Sequence, residues 1–244
     1  MLYNQINPHP ELKDYIDAYW AVSGNGKELK IEKILPDTCV DIIFNLGDDC
    51  VTDNGRYTLQ NEKVYLVGTM KGFKENKIKP NANLLGIRFK PGAFSVFYKF
   101  GSLYEITDQT IELEKKIAPD LQQTIQYSTT YFDHFLLGKL AKPKHGLFPI
   151  IADIQKNKGQ INVNILAQRH FITIRQLERY FKQYVGVSPK EFINLVRYQY
   201  TLPIIQHKSP FQSLSDIAFE CGYYDHAHMA NEIKRYTGLP PSRI

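Results

Sequence analysis

The spacing of hydrophobic positions changes period once along the chain. Up to about residue 110 they gather in short β-rich runs at 18–22, 29–34, 40–46, 64–68 and 84–89. Turn-forming clusters separate the runs: Gly24-Asn25-Gly26, Gly47-Asp48-Asp49, Asn54-Gly55 and Pro91-Gly92. In the last run Leu85, Ile87 and Phe89 alternate with Gly86, Arg88 and Lys90, the two-residue period of a half-buried strand. Several short strands at this spacing predict a small barrel or sandwich. A helix should follow Pro91-Gly92, with Phe94, Phe97 and Tyr98 on one face. Another should cover roughly 120–140, where Leu121, Ile125, Phe132, Leu136 and Leu140 share a stripe. Residues 141–146 (Ala-Lys-Pro-Lys-His-Gly) have the breakers and charge of a linker, dividing the chain into domains 1–145 and 146–244.

From about residue 147 the period becomes helical. Val163, Leu166 and Ala167 share a face, as do Leu177, Phe181 and Tyr184, then Leu214, Ile217, Ala218 and Cys221, then Met229, Ile233 and Tyr236. These positions alone predict only a helical bundle. An internal repeat sharpens them. Leu177, Phe181-Lys182, Tyr184, Gly186 and Pro189 recur 52 positions later as Met229, Ile233-Lys234, Tyr236, Gly238 and Pro241. Upstream, Leu166-Ala167 recurs as Ile217-Ala218 at an offset of 51, so one residue is added in the turn between. Each unit is a short helix, a tight turn, a second helix and a glycine stop, the plan of a helix-turn-helix whose second helix enters the major groove. Thr173 and Asp225 are placed to cap the two second helices, and Gly222 suits a left-handed turn. With the apolar stripes turned inward, Arg175, Glu178, Arg179 and Lys182 face outward on one second helix. His226, Ala227, Ala230, Asn231 and Lys234 do so on the other. The fold class is therefore α+β: a β-rich barrel or sandwich with flanking helices, then an all-α domain.

Charge follows the same division. Residues 1–145 carry 18 basic and 18 acidic side chains and residues 146–244 carry 12 and 7, so the whole excess of +5 lies in the helical part. A surface that faces phosphates needs that asymmetry. No run of about 18 apolar residues or secretory signal is visible, and Cys39, Cys50 and Cys221 are too scattered for a metal pattern. A cytoplasmic protein with reduced thiols is expected.

Residues 160–244 resemble the DNA-binding domain of AraC/XylS-type transcription regulators. The resemblance rests on Leu166-Ala167, Leu177-Glu-Arg-Tyr-Phe-Lys182, Gly186-Val-Ser-Pro189, Phe192, Arg197, Ile217-Ala218, Gly222-Tyr-Tyr-Asp225, His228, Lys234 and Gly238. It implies two units joined by a long helix, inserted into successive major-groove segments of one DNA site. It assigns base reading to Arg175, Glu178 and Arg179, and to His226, Ala227 and Asn231. Thr173, Lys182, Lys190, Arg197 and Lys234 become candidates for phosphate contacts. Two features depart from the family. Met229-Ala-Asn-Glu-Ile233 stands where Phe-x-Arg-x-Phe is usual, replacing an Arg by Asn231 and adding the charge of Glu232. Pro203 falls in the predicted connecting helix, 189–206, where it removes an N–H and either kinks the rod or bends it around its core.

The N-terminal part resembles more loosely a cupin-like domain found in a subset of these regulators, through Leu35-Pro-Asp-Thr-Cys-Val-Asp-Ile-Ile-Phe-Asn-Leu-Gly47, Gly86-Ile-Arg-Phe-Lys-Pro-Gly92 and the stretch from Tyr15 to Trp20. The resemblance implies sensing of a small molecule or dimerisation. Trp20, Phe44, Tyr65 and Arg88 could enclose a ligand, Arg88 pairing an anionic group; the other reading is a filled core with Arg88 paired to an internal carboxylate. The expected partners are double-stranded DNA, a small-molecule effector, a second copy of the chain and RNA polymerase, with no cofactor, metal or membrane.

Two other classes stay open. One is an enzyme, for which Asp37 and Asp41 offer paired carboxylates. Such residues more often hold turns, the histidines form no metal-ligand spacing, Gly47 and Gly55 form no phosphate loop, and Cys39 lacks a basic partner. The other is a non-specific nucleic-acid-binding protein, separable by its equal affinity for any duplex.

Overall fold

A computed structural model describes residues 2–24, 28–143, 145–209 and 211–244, except the side chains of Tyr127 and Ser128. Asn25 and Gly26 of the first predicted turn and Lys144 of the predicted linker lie outside the described residues. The N-terminal strands are β1 (Leu2–Ile6), β2 (Ile16–Ser23), β3 (Lys30–Ile34), β4 (Val40–Asn45), β5 (Cys50–Thr52), β6 (Tyr57–Leu59), β7 (Lys63–Val67), β8 (Lys74–Ile78), β9 (Asn83–Phe89) and β10 (Thr110–Glu112). They form a six-stranded antiparallel sheet in the order β1-β2-β9-β4-β7-β10, and a four-stranded sheet in the order β3-β8-β5-β6. A short helix, α1 (Phe94–Phe97), and a long one, α2 (Leu121–Leu137), complete this part.

The larger sheet is covered on both faces, which corrects the expectation of a half-buried strand at 84–89. Cross-strand partners share a face, so Trp20 and Ile43, both opposite Gly86, look toward the small sheet with Leu84 and Val22. Tyr19, Ile42, Phe44, Ile87 and Phe89 look the other way, into a core closed by α1 and α2. There Phe132 of α2 stacks on Phe44 with ring centroids 5.2 Å apart, and the Tyr19 hydroxyl donates to Asp133 at 2.7 Å. Gly86 is required beneath the indole: a Cβ would stand 2.0 Å from Trp20 Cε2. Gly86→Ala is expected to lower stability by about 1–3 kcal/mol through overpacking, read by thermal unfolding.

The helical part comprises α3 (Leu147–Lys156), α4 (Val163–Arg169), α5 (Ile174–Tyr184), α6 (Pro189–Gln206), α7 (Leu214–Glu220) and α8 (His226–Thr237). Two small cores form on opposite sides of α6. Phe192, Ile193 and Val196 pack with α3, α4 and α5, while Leu195, Tyr198 and Ile205 pack with α7 and α8. The connecting helix runs over the predicted residues without interruption; Pro203 lies exposed in its last turn, where it withholds one donor from the Gln199 carbonyl and little helix lies beyond it to be redirected.

The predicted linker is partly built into the structure. His145 is buried, with Nε2 3.1 Å from Ser95 Oγ and 3.2 Å from the Gly92 carbonyl, and its ring lies 4.3 Å from that of Tyr184. Burial holds its pKa below the usual histidine value. Phe148 of α3 packs edge-on against Tyr15.

Candidate nucleic-acid interface

Both units carry the predicted caps. The Thr173 hydroxyl accepts from the Gln176 N–H at 3.2 Å and the Asp225 carboxylate from the His228 N–H at 2.7 Å. Ser188 and Ser213 form capping boxes with Glu191 and Asp216 at the starts of α6 and α7. The turns superpose in their bonding: Ile172 N–H reaches the Ala167 carbonyl at 3.0 Å, and Tyr223 N–H the Ala218 carbonyl at 2.9 Å. Phe171 holds a left-handed φ of 52° where the second unit has Gly222 at 72°. The equivalence lasts through Tyr223 and resumes at Asp225, so the added residue is Tyr224, which projects into solvent.

Leu177 and Phe181 on α5, and Met229, Ile233 and Tyr236 on α8, are fully buried. That fixes the opposite faces. Arg175 and Arg179 are exposed and Glu178 partly so; His226, Ala227, Asn231 and Lys234 are exposed. Thr173 and Lys190 are exposed too, at the starts of α5 and α6. Two open faces, one per unit, thus carry cationic and amide side chains on rigid helices.

Two expected residues fall elsewhere. Arg197 is no free phosphate ligand: its side chain is 13% exposed, with Nη2 3.4 Å from Glu232 Oε2 and 2.9 Å from Asn194 Oδ1. Its guanidinium also lies over the Tyr223 ring at 4.6 Å. Glu232, at 9%, adds no negative charge to the outer face of α8; it is consumed by this pair, which ties the connecting helix to the second unit. The sequence held the signal, because the stripe of Met229, Ile233 and Tyr236 includes Glu232 at a spacing of three from Met229. Lys182 is exposed, but its Nζ sits 5.2 Å over the Tyr104 ring of the N-terminal part.

Sequence reasoning missed how the N-terminal part holds the ends of α5 and α8. At the end of α5, Thr69 Oγ1 donates to the Val185 carbonyl at 2.5 Å, Thr107 Oγ1 donates to the Gly186 carbonyl, and Ser102 Oγ donates to the Lys182 carbonyl at 3.2 Å. At the end of α8, Lys33 Nζ donates to the Thr237 carbonyl at 3.0 Å while lying 4.6 Å over the Phe73 ring. Lys71 Nζ stands 3.9 Å from Glu191. Gly186 and Gly238, equivalent in the repeat, are therefore both clamped.

Between the two sheets lies a cavity of about 150 Å³. Trp20 and Arg88 line it, whereas Tyr65 is packed in the core beneath, its hydroxyl accepting from the Gln60 N–H. Phe44 is a correction: the two-residue period places Asp41 and Ile43 on the cavity side and Phe44 in the core against α2. Arg88 follows the second of its two readings, with Nε 3.2 Å from Asp37 Oδ2 and 3.3 Å from Asp41 Oδ1. Trp20 Nε1 donates to Asp41 at 2.6 Å. Burial pushes the Asp41 carboxyl up to about 6, against the opposing pull of Arg88. The Asp37 carboxylate also accepts from the Cys39 N–H, so it holds the turn before β4. No group of three or more metal-ligating side chains, and no helix long and apolar enough to cross a membrane, occurs among the described residues.

Two domain families match separate stretches of the chain. A helix-turn-helix domain family matches residues 166–244, and a domain family of unknown function, DUF6597, matches residues 4–112. The HTH-type transcriptional activator RhaS of Escherichia coli is 28% identical over 85 residues, covering 35% of this chain and 30% of that protein. RhaS of Escherichia fergusonii is 30% identical over 79 residues, covering 32% and 28%. The chain thus spans less than a third of the RhaS proteins it matches. A crystal structure of an apo ToxT variant from Vibrio cholerae is similar over 92% of this chain and 96% of that one, with a TM-score of 0.50 and 13% identity, a likeness of fold. The helical part is thus similar to helix-turn-helix domains of known transcriptional activators.

Proposed function

We propose that the protein is a sequence-specific, DNA-binding transcription regulator whose two units read adjacent major-groove segments. One observation carries this reading. The apolar stripes of α5 and α8 are buried against a shared connecting helix, leaving Arg175 and Arg179, and His226 and Asn231, open on rigid surfaces. Arginine can fork onto guanine and asparagine onto adenine, and Ala227 can meet a thymine methyl. Thr173, Lys190 and Lys234 would position the helices on phosphates, and Lys182 would share that role with its place against Tyr104. Selection from a random duplex library with the full chain tests the reading: enrichment of one defined site is expected. Equal retention of all sequences would identify a non-specific binder instead.

The N-terminal part is proposed to sense a small molecule in its cavity, with its grip on the ends of α5 and α8 as the route to the readers. Association of two copies is supported by edge strand β1, where Leu2, Tyr3 and Ile6 are exposed. The proposal includes contact with RNA polymerase in the cytoplasm and assigns no catalytic role. Asp37 and Asp41, the sequence's best case for catalysis, are engaged by Arg88 and Trp20.

A further inference from the structure

The geometry points to a small protonated amine as the occupant of the cavity between the two sheets, a class that rests on the reading of this domain as a sensor. The cavity is lined by Val22, Ile43, Leu59, Ile78 and Leu84 on its apolar sides. At about 150 Å³ it matches a single six-membered ring, since an engineered cavity of that size accepts benzene. Its charged lining is unbalanced. Glu32, Asp37, Asp41 and Asp53 face only Lys74 and Arg88. Lys74 is matched by Asp53 in a buried pair at 2.5 Å, and Arg88 is flanked by both Asp37 and Asp41. Glu32 has no ion-pair partner among the described residues, although half-buried and directed at the cavity.

An anion entering here would meet an excess of two negative charges in a poorly solvated space, where the one arginine of the lining already has two carboxylates beside its Nε. A cation gains from the same field and gives Glu32 the partner it lacks. An indole on the wall adds a favourable surface for an ammonium group and an apolar body.

The walls also explain how such a ligand would be felt by the readers. Along β3, Glu32 and Ile34 line the cavity while Lys33 between them holds the Thr237 carbonyl. Along 69–74, Met70 and Lys74 line the cavity, while Thr69 holds the Val185 carbonyl and Lys71 faces Glu191. In the same stretch the Phe73 ring lies against Gly238. In both stretches ligand contacts and reader contacts thus fall on neighbouring residues, along β3 by the two-residue period of a strand.

Trp20, the only tryptophan of the chain, lies in the wall and reports occupancy by its fluorescence. The full chain is titrated with benzylamine, benzyl alcohol and benzoate, which share one ring and differ in charge. Benzylamine is expected to bind at least tenfold more tightly than the alcohol and to raise the melting temperature, with no response to benzoate. Glu32→Gln is expected to weaken benzylamine at least tenfold while leaving the alcohol unchanged, with the circular dichroism spectrum of the parent. Binding of benzoate in preference to benzylamine, or benzylamine binding indifferent to Glu32→Gln, would overturn the amine class while leaving a sensor. Failure of all three probes to bind at 10-millimolar scale would overturn the sensor reading together with it.

Discussion

Glu232→Ala is expected to cost the helical part about 3–5 kcal/mol, because removing one partner of a buried ion pair leaves the other charge unpaired. The partner is Arg197 at 3.4 Å, itself 13% exposed and enclosed by Asn194 and Tyr223. Urea unfolding followed by helical circular dichroism measures the loss. Glu232→Gln, which retains a hydrogen-bond acceptor, should lose less. The double change Arg197→Met with Glu232→Met removes both charges and should approach the parent stability, since a buried pair often contributes little net of its desolvation. A loss below about 1 kcal/mol for Glu232→Ala would place the pair in the weak range of exposed ion pairs.

Arg179→Ala is expected to reduce binding to the selected site by about 1–3 kcal/mol, roughly five- to 150-fold, with little change on random duplex. Arg179 is exposed on α5, two residues before the buried Phe181, and Tyr180 supports its guanidinium at 5.3 Å. Lys182→Ala should weaken selected and random DNA alike, in keeping with a phosphate contact, and should also loosen the seat of α5 on Tyr104. Competition binding at fixed salt separates the two outcomes, because phosphate contributions scale with counterion release. Sequence preference left intact by Arg179→Ala would remove that residue from base reading.

The helical part was legible because its signals are local. Caps, glycine stops and the 3.6-residue stripe lie within one or two turns of each other, so the repeat locates α4, α5, α7 and α8, and one residue added in the turn of the second unit. The expected connecting helix, 189–206, agrees with the observed one, whose start is held by the Ser188 cap and Pro189. The β part was less legible. Five runs became β2, β3, β4, β7 and β9, but β5, β6 and β10 are three residues each, too short for a period to show. Strand β8 (Lys-Glu-Asn-Lys-Ile) reads as a polar loop because one of its lysines, Lys74, is buried against Asp53. Pairing is also non-local: β2 lies beside β9, with partners from Ser23 and Asn83 to Ile16 and Phe89, and nothing in either strand specifies the other. Phe44 shows the limit of composition, since an aromatic on a strand lies on one of two faces and only register decides which. Arg197 shows another, because a basic residue on a helix near DNA reads as a phosphate contact until the buried stripe of α8 reveals its carboxylate partner.

Methylation interference on the selected site, with the full chain, tests the central claim most directly. Twin readers predict two clusters of sensitive major-groove purines on one face of the duplex, about 10 base pairs apart. The Arg175→Ala, Arg179→Ala double variant should relieve one cluster and Asn231→Ala the other. A single cluster, or two that respond together to either change, would contradict two independent readers.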